Sequence, residues 1–145
     1  MYKILVTTDG SEQSTKTVEE TLKIAAPMGK DVEVLVLFVM EKIDNMIYAP
    51  DLDGKLKEAV MNTQDSAANK AIALVEKKFL DKGIKTSSKI LKGSPVDQIC
   101  GFAEKEKCNL IIMGKRKKGK LEEFVVGSVS MQVAQRAKTD VLIIK

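Results

Sequence analysis

Five short apolar runs, separated by four stretches of helical periodicity, constrain this chain more than any other feature. The runs are Ile4-Leu5-Val6, Val32 to Val39, Thr86 to Leu91, Leu110-Ile111-Ile112-Met113 and Val141-Leu142-Ile143-Ile144. Most are continuously apolar rather than alternating, as strands covered on both faces must be. Thr86 to Leu91 is the most polar and is expected at a sheet edge. Strands alternating with helices in this way give a parallel sheet joined by right-handed crossovers. The expected fold is α/β: a doubly wound, Rossmann-like open sheet of five strands in three α/β/α layers, with strand order 3-2-1-4-5.

The helices can be placed from their starts and stops. Thr7-Thr8-Asp9-Gly10 breaks the first strand, and Ser11 can cap a helix carrying Glu12 in its first turn and Val18, Leu22 and Ala25 on its apolar face. Gly29 is the expected stop. The second helix spans about Leu56 to Lys82, with Leu56, Val60, Ala67, Ala71, Leu74 and Val75 read as its buried stripe. The third opens at Ser94-Pro95, where Ser94 caps, Pro95 takes the first position and Asp97 closes a capping box. The fourth opens at Gly127-Ser128 and runs to about Ala137. Residues 41–55 show no clear period, and a segment of that length between elements is usually functional.

At 145 residues, the chain fits one domain, 1–145, with no linker or repeat to divide it. With aromatics at 4% and no Trp, the core must be aliphatic. There is no histidine, which argues against imidazole acid–base catalysis and triad chemistry. Cys100 and Cys108 match no metal-binding spacing, so both are read as reduced packing residues of a cytoplasmic protein. Tyr2-Lys3 leads directly into the first strand, so no targeting segment is expected. No apolar run approaches the ~18 residues of a membrane span. Net charge is +4, with five cations in the six positions from Lys115 to Lys120. That run lacks interleaved aromatics for base stacking, so nucleic acid is not the expected partner.

In an open parallel sheet, ligands bind beyond the carboxyl ends of the strands, where strand order reverses. This points to Asp9, Val39, Gly93 and the stretch from Gly114 to Ser128. Gly114 lets the backbone approach a ligand, and Gly127-Ser128 opens a helix whose amides favour an anion. The lysines between them would add positive potential. The same residues could equally serve turns and a solvated loop. Asp9 could hold a ribose hydroxyl or a hydrated Mg²⁺, or simply cap its own turn.

Taken in order, these residues resemble the universal stress proteins over nearly the whole length. The resemblance is carried by Ile4-Leu5-Val6-Thr7-Thr8-Asp9-Gly10-Ser11, Gly93-Ser94-Pro95, Leu110-Ile111-Ile112-Met113-Gly114, Val126-Gly127-Ser128-Val129-Ser130 and the closing Asp140 to Ile144. Nucleotide-binding members of that family carry G-x2-G-x9-G-[ST]. Gly114 and Gly127-Ser128 fall on its ends, and Lys117 stands where the middle glycine belongs. A lysine there adds bulk, and also a charge that could bind phosphate.

The resemblance implies an adenine nucleotide (ATP, ADP or AMP, with or without Mg²⁺) held near Asp9, Val39, Gly114, Lys117, Gly127, Ser128 and Val129. It implies a homodimer through Val141, Leu142, Ile143 and Ile144, and a regulatory role in the stress response rather than that of an enzyme. Residues 41–55 would lie beside the nucleotide. The alternative is a nucleotide-free interaction module, which the Lys117 departure would suit. Slow ATP hydrolysis has no positioned base beyond Asp9. A phosphorelay receiver would need an acceptor Asp after the third strand, where this chain has Gly93-Ser94.

Overall fold

The structure is a computed structural model that describes residues 1–41, 54–115 and 128–145. The elements run β1 (Tyr2–Thr7), α1 (Glu12–Ala25), a 3₁₀ turn (Ala26–Asp31), β2 (Val32–Met40), α2 (Gly54–Leu80), β3 (Lys85–Lys92), α3 (Pro95–Lys105), β4 (Leu110–Gly114), α4 (Val129–Arg136) and β5 (Asp140–Ile144). The five strands form one sheet in the order β3-β2-β1-β4-β5, with every pairing parallel. This is the expected doubly wound arrangement.

The continuous apolar runs are explained by two cores, one on each face of the sheet. Ile4, Val6, Val34, Val36 and Ile112 point to the face that α1 and α2 cover, where Val18, Ile72 and Phe79 meet them. Leu5, Leu35, Leu37, Ile111 and Met113 point to the other face, against Val96, Ile99, Ala103 and Val133 of α3 and α4. Register keeps the two sets apart: Leu5 is paired with Leu35 and Ile111, and Val6 with Val36 and Ile112. A slip of one residue would exchange every side chain between the two cores.

The two edges differ. As expected, β3 is an edge, half-exposed along its length, and it carries Lys85, Lys89 and Lys92. Lysines on an edge discourage pairing with another chain. The opposite edge, β5, reads Asp140-Val141-Leu142-Ile143-Ile144 and has no cation.

Three local expectations are corrected. α1 stops at Ala25 rather than running to Gly29. Pro27, just after the C-cap Ala26, can supply no helical N–H, and Gly29 turns the chain toward β2 with φ +57°. On α2, Leu56, Ala67 and Leu74 are exposed. The buried stripe is Ala68, Ile72 and Phe79, with Val75 partly buried beside it. α2 carries two apolar stripes, and the sheet takes the one that holds the large Phe79 ring. Finally, Ser94 is the N-cap of α3 but accepts no side-chain capping bond. Asp97 instead takes a charge-assisted bond of 2.6 Å from Arg136 of α4, which ties the two helices together.

Cys108 is buried in the second core and Cys100 packs at its margin; both are free thiols. Burial pushes the Cys108 thiol up to about 11. Burial also raises Cys100, against a lowering by the nearby Arg136. Among the described residues, no helix is long and apolar enough to cross a membrane.

Candidate functional site

The chain leaves β1 for β2 and β3 on one side and returns past β1 to β4 and β5 on the other. The carboxyl ends of β1 and β4 therefore border the crevice where strand order reverses. A cleft of about 540 Å³ opens there. This lies within the range of roughly 300–1,000 Å³ common for small-molecule sites.

The cleft has an apolar and a polar wall. Val39, Pro95, Ile99, Met113 and Val129 line the first. Thr8, Asp9, Ser11, Gln13, Thr17 and Ser130 are among those that line the second. The first turns of α1, α3 and α4 all reach the cleft, through Glu12, Pro95 and Val129. Each brings the positive end of a helix dipole to the same space, an arrangement suited to an anion.

The loop after β1 is held by short-range polar contacts. Thr8 is buried, its amide donates to Leu37 O at 3.0 Å, and its hydroxyl donates to Ser14 Oγ at 3.1 Å. Ser14 passes the chain on to Ser11 O at 2.8 Å. Asp9 Oδ1 accepts from the Ser11 amide at 2.9 Å, so Asp9 does cap its own turn while also lining the cleft. Gly10, between them, sits at φ +80°, which few side-chain-bearing residues adopt.

Gly114 closes the floor. A Cβ on this residue would stand 2.5 Å from Thr17 Oγ1 and 3.5 Å from Gln13 Cγ. The glycine is therefore required by the close approach of α1 to the end of β4, a tighter reason than access for a ligand. Thr17 can lie there because its hydroxyl is satisfied within the helix, donating to Gln13 O at 3.2 Å. The Gln13 side chain packs over the same glycine, with its Nε2 buried and without a hydrogen-bond partner among the described residues.

The sequence-derived site residues divide into three groups. Asp9, Val39, Gly114 and Val129 line the cleft together. Ser128 stands next to it as the N-cap of α4, accepting from the Met131 amide at 3.4 Å and lying 3.3 Å from Ser130 Oγ. Lys117 and Gly127 fall outside the described residues, as does most of 41–55. For the suggested Mg²⁺ site at Asp9, the described residues contain no cluster of three or more His, Cys, Asp or Glu that could hold a metal ion.

Sequence reasoning missed Thr8, Gln13, Ser14, Thr17 and Ser130 on the polar wall, and Pro95, Ile99 and Met113 on the apolar one. A signal for part of this existed. Ser14, Thr17 and Thr21 recur at helical spacing beside Val18, and all three are buried. Small hydroxyl residues on the inner face of a helix mark a place where it comes close to its sheet.

The sequence profile of the universal stress protein family matches the chain from residue 1 to residue 145. The chain belongs to the universal stress protein family. Universal stress protein MJ0531 of Methanocaldococcus jannaschii is 32% identical over 143 residues, which cover 99% of this chain and 81% of that protein. Among solved structures, MJ0577 superposes with a TM-score of 0.81 at 27% identity, covering 98% of this chain and 94% of the other. A family member from Arabidopsis thaliana, solved with AMP bound, superposes with a TM-score of 0.74 at 18% identity, covering 99% and 91%. As a universal stress protein, the chain has its cleft at the β1/β4 crevice and its glycine-bearing segment between β4 and α4.

Proposed function

We propose that this universal stress protein binds an adenine nucleotide in the β1/β4 cleft and acts as a homodimeric regulatory protein of the stress response. The observation that carries the reading is the composition of the cleft. Its apolar side chains suit a purine base, polar side chains line the same cleft, and the first turns of three helices reach it. Nucleotides need this combination, since they join a flat apolar ring to an anion. The AMP bound to the Arabidopsis relative supports the choice of adenine.

Within this reading, Asp9 and Val39 flank the base and ribose, and Ser128 and Val129 present the start of α4 to the phosphates. Gly127 and Lys117 complete the phosphate segment by their place in the motif. The polar wall fits binding better than turnover. Thr8 and Ser14 have their hydroxyls committed to one another and to the backbone, and the sequence offers no histidine as a base. If Mg²⁺ accompanies the nucleotide, Asp9 is the residue to meet it through water.

The dimer part of the proposal rests on the asymmetry of the edges. β3 is guarded by three lysines, whereas β5 presents Leu142 exposed and Val141, Ile143 and Ile144 partly exposed. An apolar edge without lysines is the one fit to meet a second copy.

The test is to purify the protein, denature it and chromatograph the supernatant for adenine nucleotides, with a titration of AMP, ADP and ATP on the emptied protein. Release or saturable binding of an adenine nucleotide is the expected result. A protein that carries none and binds none leaves the nucleotide-free interaction module as the better reading.

A further inference from the structure

Asp9 is exposed, so burial does not fix it in place. Its neighbours do. Thr8 is buried just past the end of β1. Its amide donates to Leu37 O of β2 at 3.0 Å, two residues short of Val39. Its hydroxyl makes two bonds, accepting from the Gly10 amide at 3.3 Å and donating to Ser14 Oγ at 3.1 Å. Ser14 is buried as well and donates to Ser11 O at 2.8 Å. Asp9 Oδ1 accepts from the Ser11 amide at 2.9 Å. On the far side of the turn, a Cβ on Gly10 would stand 3.4 Å from that of Ala71 on α2.

A buried hydroxyl costs free energy unless it is bonded, and valine has the shape of threonine without that cost. What Thr8 supplies in return is local. Its oxygen ties the Gly10 amide, just after Asp9, to Ser14 of α1. With valine there, the Gly10 amide and the Ser14 hydroxyl would each lose a partner, and the turn that carries Asp9 would lose its tie to the helix. A carboxylate on a loose turn must be ordered when its ligand arrives, which weakens binding. One held beforehand by its neighbours avoids that cost.

We propose that Thr8, seated on Ser14, is a positioning residue that holds Asp9 ready for the nucleotide. This rests on the nucleotide reading of the cleft. Thr8 acts through Asp9 and not by contact of its own, because its hydroxyl is already committed on both sides.

The experiment is a double-mutant cycle on binding. Calorimetric titration, with whichever of AMP, ADP and ATP the wild type binds most tightly, compares wild type, Thr8→Val, Asp9→Ala and the double variant, with Thr8→Ser beside them. Thr8→Val should lose about five- to tenfold in affinity, and Thr8→Ser should recover most of it. In the Asp9→Ala background, Thr8→Val should change affinity by less than about twofold, since the group it positions is gone. If Thr8→Val does not fold, Ser14→Ala, which removes the acceptor of the Thr8 hydroxyl, takes its place in the cycle. If Asp9→Ala binds too weakly to titrate, the contrast between Thr8→Val and Thr8→Ser decides. Unchanged affinity in Thr8→Val, additive losses in the cycle, or a Thr8→Ser as weak as Thr8→Val overturns the assignment and leaves the nucleotide reading intact. A wild type that binds none of the three nucleotides overturns both.

Discussion

Thr17 Oγ1 stands 2.5 Å from the point that a Cβ on Gly114 would occupy. This contact fixes how closely α1 lies over the end of β4, and with it the floor of the cleft. Gly114→Ala should destabilise the protein by about 1–3 kcal/mol, the usual cost of overpacking. Thr17→Ala removes the clashing oxygen, so the double variant should be more stable than the sum of the singles predicts. Urea unfolding of the four proteins measures the coupling, expected at about 0.5–3 kcal/mol for residues in contact. Strict additivity would show that Gly114 is not held by Thr17.

Ser128 caps α4 at the edge of the cleft and accepts from the Met131 amide. Ser128→Ala should lower stability by about 1 kcal/mol through the lost cap. It should also weaken AMP binding, since the first turn of α4 is then less firmly held. Ser128→Asp keeps the cap but adds a negative charge. It should retain stability and still lose AMP, and paired thermal and binding measurements separate the two effects.

The Arg136 to Asp97 bond is short at 2.6 Å, yet both side chains are more than half exposed. Solvent screening limits such a pair to about 0–1 kcal/mol. Asp97→Asn should therefore shift the urea midpoint only slightly, and 1 M salt should reduce even that difference. A loss above 2 kcal/mol would mean that the pair does more than join α3 to α4.

Burial holds the Cys108 thiol up at about 11. The thiolate is the reactive form, so native Cys108 should resist alkylation at pH 8 and react faster as pH rises toward 11. In urea the ordinary thiol value returns and the resistance should vanish. The stability sign follows from the same shift. Between pH 9 and 11 the unfolded state loses this proton before the native state does, so burial of Cys108 contributes less stability as pH rises. Peptide mapping of iodoacetamide adducts across pH, native against denatured, checks the first part.

The sheet was legible in the sequence because burial on both faces leaves an unambiguous mark. Runs such as Val34-Leu35-Val36-Leu37 can hardly be anything but central strands, and the lysines of β3 announce an edge. α2 was less legible for a specific reason. Leu56, Ala67 and Leu74 form one stripe and Ala68, Ile72 and Phe79 another, and periodicity does not say which the sheet will take. Packing decides it, through the bulk of Phe79.

The site was half legible. Asp9, Val39 and Gly114 follow from the rule that ligands bind at strand ends, and Val129 follows from the family resemblance. Thr17 and Gln13 do not, because a polar residue on a helix reads as solvated until its helix is docked. Gly114 shows the same limit from the other side. The sequence suggests a glycine that admits a ligand, and only the fold shows that it admits α1. Asp97 is similar: its spacing from Ser94 fits a capping box, but Arg136 on another element holds the carboxylate.

The edge strand supplies a separate test. Leu142 is exposed on β5 with no charge beside it on the strand except Asp140. Leu142→Lys should convert the proposed dimer to a monomer in sedimentation equilibrium while leaving the monomer folded. The equivalent change on β3, Ser87→Lys, should leave the mass unchanged.

The central claim is that the β1/β4 cleft is an adenine-nucleotide site, and the melting temperature with and without AMP tests it most directly. Ligand at a hundred times its Kd adds about 2.7 kcal/mol to the native state, or roughly 5–10 °C for a chain of this size. The account predicts a rise of that order with AMP and a much smaller one in Gly127→Val. No shift with millimolar AMP, ADP or ATP would contradict it.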